Sequence, residues 1–229
     1  MQKKTALLFG ATGLTGSHLL NRLAEDQRYN KVRVFTRSDL KHESAGVEII
    51  KTRLENIENF SSAIRGDDLF CCLGTTIKKA GTRENFRKVD FGFPVKIAEI
   101  ASRNKVPAFL VVSSVGAGPG SSGFYLRTKG EMEKAVSSFK FRKLVIMRPS
   151  MLLGKREEFR FMEEAGKVFM KMAGFLLRGK LRKYRAIKAD TVAAAMVNLA
   201  NTETAKTIYE SDEIEKAGRS RPAEGDRPA

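Results

Sequence analysis

Gly10-Ala11-Thr12-Gly13-Leu14-Thr15-Gly16 follows directly on the apolar run Thr5-Ala6-Leu7-Leu8-Phe9, and this junction decides the fold. A short apolar run that ends in glycine reads as a β-strand. Gly10 lets the chain turn sharply off that strand. Gly13 lets the backbone approach a pyrophosphate, and Gly16 lets the following helix pack on the sheet. The phosphates then meet the free N–H groups of the helix N-terminus. A glycine triplet alone says little. Placed between a predicted strand and a predicted helix, it reads as a dinucleotide-binding turn. The basic start before Thr5 faintly resembles a leader peptide, but Gly10 ends the apolar stretch early, without a small-residue cleavage site, and a first strand fits better.

Working outward, short apolar runs alternate with longer amphipathic stretches, the pattern of a parallel sheet with crossover helices. Strands are predicted over Thr5–Phe9, Val32–Thr36, Val47–Thr52, Asp68–Leu73, Ala108–Ser113 and Arg142–Arg148, with a late one at Thr207–Tyr209. Helices are predicted over Gly13–Asp26, Ile57–Ile64, Arg83–Asn104 and Gly123–Phe139. The strands are apolar at nearly consecutive positions, as expected when both faces are covered. The expectation is an α/β, Rossmann-type doubly wound parallel sheet with a small, mostly helical C-terminal region. One NAD(P)-binding domain spans 1–216, with a substrate-side region at about 150–200. Within it, Lys155–Leu177 reads as helical, Leu181–Ile187 as a basic connector, and Asp190–Ala200 as a helix capped by Asp190. The Gly-, Pro-, Arg- and Glu-rich tail from 217 to 229 reads as disordered.

Composition bounds the function. The chain has 229 residues, with hydrophobic residues at 42% and charged residues at 30%, which excludes a wholly disordered protein. No apolar run reaches transmembrane length. The two cysteines, Cys71 and Cys72, are adjacent and sit in an apolar run, so they read as buried thiols of a cytoplasmic protein. The two histidines, His18 and His42, do not converge with them, and no metal site is expected. The net charge of +16 suits a nucleic acid, an acidic membrane or a multiply charged anionic ligand. Much of the positive charge lies from Lys140 to Lys188, where it flanks Phe, Met and Leu at helical spacing. That stretch reads as a solvated face around a packed apolar stripe, and no nucleic-acid partner is expected.

Several side chains point to chemistry. The second strand ends in Thr36-Arg37, where an NAD enzyme usually carries a carboxylate, so Arg37 suits the 2′-phosphate of NADP(H). The fourth strand ends in Leu73-Gly74-Thr75-Thr76, small and hydroxylic residues that fit the ligand crevice of an open α/β sheet. The fifth ends in Ser113-Ser114, and Tyr125 and Lys129 follow four residues apart on one helix face. An ammonium beside a phenol favours the phenolate. Such a tyrosine can protonate a carbonyl oxygen, or take the proton back in reverse. Pro149, at the end of the sixth strand, can give apolar lining to a nicotinamide pocket.

Together these pieces resemble the short-chain dehydrogenase/reductase superfamily. More narrowly they resemble its small atypical members, similar to the Tat-interacting protein family of NADPH-binding oxidoreductases. The resemblance rests on Gly10–Gly16, Phe70-Cys71-Cys72-Leu73-Gly74-Thr75-Thr76, Lys79-Ala80-Gly81, Val89-Asp90, Ser113-Ser114, Tyr125-Leu126, Lys129-Gly130-Glu131 and Arg148-Pro149. It implies NADP(H) as cofactor and a Ser-Tyr-Lys catalytic set. Tyr125 would be the acid/base. Lys129 would hold the nicotinamide ribose and tune Tyr125. Ser114, or Ser113 one residue earlier, would steady the substrate oxygen. Gly10, Thr12, Gly13, Leu14, Thr15 and Gly16 would hold the pyrophosphate. Leu54, Leu73, Gly74, Thr75, Thr76, Ser113, Pro149 and Ser150 complete the expected cofactor contacts.

The chain departs from the superfamily pattern in places. Arg53-Leu54 stands where many members carry an acidic residue near the adenine. The region after Gly154 is too short for a large substrate domain. Gly116–Gly123 is expected to be a mobile loop over the site. Three functions fit: reduction of a small carbonyl substrate, cofactor-dependent regulation or sensing with weak catalysis, and an adaptor built on the fold. The Ser-Tyr-Lys set favours the first. A monomer is expected, or a homodimer pairing helices Arg83–Asn104 and Gly123–Phe139.

Overall fold

The computed structural model describes residues 3–154 and 179–220. The helices expected over Lys155–Leu177 and the tail from 221 lie outside the described residues.

Seven parallel strands form one sheet. They are β1 (Lys4–Phe9), β2 (Tyr29–Thr36), β3 (Val47–Lys51), β4 (Asp68–Cys71), β5 (Ala108–Val112), β6 (Lys143–Arg148) and β9 (Ile208–Glu210). Their order across the sheet is β3-β2-β1-β4-β5-β6-β9. The chain reverses direction of travel between β1 and β4, and ligands bind at such a switch point, beyond the carboxyl ends of the strands. Two short strands, β7 (Leu152–Leu153) and β8 (Ile187–Lys188), form a separate parallel pair.

The consecutive apolar residues of β1 explain the two layers. Ala6 and Leu8 face a core shared with Leu19, Leu23, Val192 and Met196, from α1 (Leu14–Glu25) and α6 (Ala189–Ala200). Leu7 and Phe9 face a core shared with Ile97, Ile100, Met132 and Val136, from α4 (Phe93–Arg103) and α5 (Phe124–Val136). Helices thus cover both faces, the Rossmann-type arrangement expected.

Local structure differs from the expectation in instructive places. The predicted helix Arg83–Asn104 is broken into α3 (Arg83–Arg87), a π-helical turn (Lys88–Gly92) and α4. Pro94 lies at the start of α4 and has no N–H to give the carbonyl of Asp90, so the hydrogen bonding slips by one residue. Ile57–Ile64 is a 3-10 segment spanning Leu54–Ala63. Thr76 accepts from the Lys79 N–H at 3.1 Å and caps a one-turn helix, α2 (Ile77–Ala80). Asp190 is not the cap of α6; Lys188 holds that position. Asp190 instead takes two hydrogen bonds from Arg22, at 2.9 and 2.8 Å, and so ties α6 to α1.

Gly179–Tyr184 forms a 3-10 turn within the expected basic connector, and the chain then enters β8. Ordered structure passes the expected boundary at 216, because α7 (Ser211–Arg219) continues beyond it. A capping box between Glu210 and Glu213 starts α7, and its Gly218 lies against Thr191 of α6. The loop Gly116–Gly123 is pinned onto α5: a Cβ at Gly130 would lie 2.1 Å from the Gly118 carbonyl carbon. Arg127 adds hydrogen bonds to the Ser121 and Ser122 carbonyls, at 3.1 and 3.0 Å.

Basic residues near the C-terminal half have internal partners. Lys143 is buried and donates to the carbonyls of Leu199, Ala200 and Thr202, closing the end of α6. Lys183 pairs with Glu210, and Arg148 with Glu133. Among the described residues no helix is long and apolar enough to cross a membrane.

Candidate functional site

The turn between β1 and α1 is closed by its glycines. Gly10 has a φ of +85°, and a Cβ there would stand 2.6 Å from the Cys72 carbonyl oxygen on β4's trailing end. At Gly16 a Cβ would stand 2.0 Å from the Gly10 oxygen. Only glycine fits either position. α1 has no acidic residue in its first turn and no side-chain cap. The Thr15 hydroxyl is buried and lacks a hydrogen-bond partner. Unsatisfied helix N–H groups, an uncapped end and a spare hydroxyl make this terminus a fit for an anion.

A cleft of about 420 Å³ opens beside this turn. Of the predicted residues it gathers Gly10, Gly13, Arg37, Leu54, Leu73, Gly74 and Thr75. Sequence reasoning did not find Lys79, Asn85 or Lys88, which line it from the α2–α3 side. Glu55 and Lys88 both line the cleft and pair at 3.0 Å. A hydrogen bond from its own backbone N–H, then the Lys88 ammonium, holds the Glu55 carboxyl below the usual range. Arg37 and Arg53 share an adjoining pocket with Glu55 and Asn56.

The other predicted residues stand outside the cleft lining. Thr12 is exposed on the turn. The Leu14 side chain packs on Gly154, where a Cβ would come within 2.5 Å of it. Thr76 is engaged as the cap of α2. The Pro149 carbonyl accepts from the Val115 N–H at 3.0 Å. Ser150 is held by the C-terminal region: its N–H donates to Ser211 Oγ at 2.7 Å and its hydroxyl to the Arg185 carbonyl.

α5 carries the proposed acid/base. Tyr125, Lys129 and Glu133 follow at four-residue spacing and share one face. Tyr125 is 36% exposed and packs its ring on Phe86, with centroids 5.5 Å apart. Lys129 is buried and pairs with Asp90 at 2.7 Å. Burial works against the ammonium, but the Asp90 carboxylate, with Tyr125 and Cys71, outweighs it and raises Lys129 above its ordinary range. Glu133 is also buried. It accepts from the Ser113 hydroxyl at 2.5 Å and forms a two-point pair with Arg148. Ser113 is therefore occupied, whereas the Ser114 hydroxyl makes a long hydrogen bond to the Val115 carbonyl, at 3.4 Å.

The thiols are quiet. Burial pushes Cys71 up to about 11, and burial raises Cys72 further. Among the described residues no cluster of three or more His, Cys, Asp or Glu could hold a metal ion.

Comparison with known proteins agrees with this fold. The NAD(P)H-binding family matches residues 10–203. The chain is 35% identical to Protein HTATIP2 of Rattus norvegicus over 202 residues, covering 86% of this chain and 81% of that protein. It is 32% identical to Protein FMP52, mitochondrial, of Debaryomyces hansenii over 203 residues, covering 86% of this chain and 88% of the relative. In structure it resembles the oxidoreductase ylbE from Lactococcus lactis, with a TM-score of 0.67 at 15% identity, covering 93% of this chain and 94% of the other. The resemblance read from the glycine turn and the Cys71–Thr76 stretch is thus matched by its relatives. The chain belongs to the NAD(P)H-binding family, with the HTATIP2 and FMP52 proteins among its relatives.

Proposed function

We propose that the chain is an NADPH-dependent reductase of a small carbonyl substrate. The observation that carries this reading is the closeness of Lys129 to Gly74 of the cleft lining. A Cβ on Gly74, which lines the cleft, would lie 3.6 Å from Lys129 Nζ. Tyr125 stands one helical turn away on the same face and remains accessible. A dinucleotide along the cleft would rest its pyrophosphate on the Gly10–Gly16 turn and its reactive end near this pair.

The residues divide the work. NADPH, when bound, supplies the hydride that the carbonyl carbon receives. Tyr125 donates its phenolic proton to the carbonyl oxygen and recovers one from solvent through its exposed edge. Ser114 holds the same oxygen. Lys129, kept charged, orients the ribose and steadies the phenolate left on Tyr125. Arg37 and Arg53 take the 2′-phosphate, while Lys88 neutralises Glu55, the carboxylate that would otherwise repel it. That preference for NADP(H) over NAD(H) is part of the proposal.

A screen of small aldehydes and ketones, followed by NADPH absorbance, tests the reading, with Tyr125→Phe as control. Tight NADPH binding without turnover of any substrate favours a second reading, a regulatory or sensing protein of weak catalysis. One observation supports that alternative: the Ser113 hydroxyl is committed to Glu133, so the substrate oxygen has one strand-end serine fewer. The reading includes no nucleic-acid partner and a monomer or homodimer. The two free thiols, Cys71 buried and Cys72 partly buried, suit a reducing compartment. The cytoplasm is one, and the yeast relatives' names specify mitochondria.

A further inference from the structure

Asp90 is fully buried, and a carboxylate there must be paired. It has two partners. Lys129 Nζ lies 2.7 Å from Oδ1, and the Thr75 N–H donates to Oδ2 at 2.9 Å. Gly74 roofs the pair, since a Cβ on it would stand 3.4 Å from Asp90 Oδ1 and 3.6 Å from Lys129 Nζ. Three elements therefore meet at one carboxylate: the cleft loop after β4, the π-helical turn and α5. The other titratable groups that act on Lys129 are Tyr125, from its own helix, and Cys71, from β4.

An ammonium with 3% side-chain exposure is driven by burial toward the neutral amine. Asp90 opposes that from another element, the π-helical turn, with a smaller contribution from Tyr125 on α5.

We propose that Asp90 is a positioning residue of the Ser-Tyr-Lys set, which holds Lys129 as a fixed, charged donor beneath Gly74 and ties it through Thr75 to the loop lining the cofactor cleft. The proposal rests on the reductase reading for the role of Lys129. It makes the charge of Lys129 a property of the pair across neutral pH.

The test uses thermal melts of the cofactor-free chain from pH 6 to 9, for the natural protein and Asp90→Asn. With Asp90 present, the folded state holds the Lys129 proton more tightly than the unfolded state does. Its contribution is then intact over this range and is lost only above the ordinary lysine range. In Asp90→Asn the folded state holds that proton less tightly, so stability recovers as pH rises. The deficit in Tm against the natural protein is expected to shrink from pH 6 to 9. Asp90→Asn with Lys129→Met, lacking both charges, should show no such trend. A second readout is NADPH affinity by calorimetry. Asp90→Asn should lose about tenfold or more between pH 6 and 9, and Asp90→Glu should restore the natural profile.

A constant deficit, with affinities parallel to the natural protein, overturns the proposal. If Asp90→Asn does not fold, Lys129→Met carries the test: its unpaired buried carboxylate should make its Tm, relative to the natural protein, rise as pH falls from 7 to 5. No rise overturns the proposal. If the natural protein binds no NADPH, the cofactor reading fails while the melts still judge Asp90.

Discussion

Gly16 sits so close to Gly10 that a Cβ on the first would stand 2.0 Å from the carbonyl oxygen of the second. Both atoms belong to backbone, so nothing can swing aside. Gly16→Ala is expected to destabilise the chain by about 3 kcal/mol. At Gly13 the same test gives 3.1 Å to that oxygen, a tight contact that a small shift relieves. Gly13→Ala should therefore melt within a few degrees of the natural protein, yet bind NADPH roughly tenfold more weakly, because its methyl occupies the approach of the pyrophosphate. Melting curves and calorimetry on the two variants separate packing from binding.

Arg37 and Arg53 line one pocket together with Glu55. Arg37→Ala should weaken NADPH binding by about 10- to 100-fold, the worth of a charge-assisted hydrogen bond, and leave NADH binding within a factor of about two. Equal losses for both cofactors would refute the 2′-phosphate assignment.

Tyr125 packs on Phe86 but keeps an exposed edge. Tyr125→Phe retains the ring and removes the proton. Turnover is expected to fall by about 100- to 10,000-fold with NADPH affinity unchanged. A variant as active as the natural protein would remove Tyr125 from the chemistry.

Arg148, half-buried, holds the buried Glu133 in a two-point pair. Arg148→Met strands that carboxylate and should cost about 3–5 kcal/mol. Adding Glu133→Gln should recover much of the loss, since no charge is then left unpaired. Chemical denaturation of the single and double variants measures both.

Cys71 is held up to about 11 by burial, against an ordinary 9.0. The folded state thus keeps this proton more tightly than the unfolded state. The stability it lends is present below pH 9 and is lost as pH rises through the folded value. At pH 8 a disulfide reagent should label Cys71 and Cys72 slowly in the native protein and rapidly in denaturant. Fast native labelling would show that the thiols are accessible.

The sheet was legible because its strands bury both faces. Runs such as Ala6-Leu7-Leu8-Phe9 have few other uses in a soluble fold, and the glycines between β1 and α1 have a single geometric explanation. Elements decided by distant contacts were not legible. α7 is almost wholly polar in sequence; its capping box and the seat of Gly218 on Thr191 define it. The helix predicted from Arg83 hid a break whose cause, Pro94, was visible but whose form was not. Tyr125 and Lys129 could be paired because they are local to one helix. Asp90 could not be joined to Lys129, because nothing in the sequence places a residue before α4 beside one on α5. The Glu133 partnership of Ser113 was hidden for the same reason.

Tyr125, Lys129 and Glu133 lie along about 12 Å of one helix face, and each is anchored to a different element. Substitutions on the outer face of α5 leave this alignment alone. Inserting or deleting one residue between positions 125 and 133 turns one end by about 100° against the other, so the tyrosine and its two anchored neighbours can no longer all face inward. Length variation in this part of the chain should therefore collect in the loops on either side of α5, while the helix keeps its residue count.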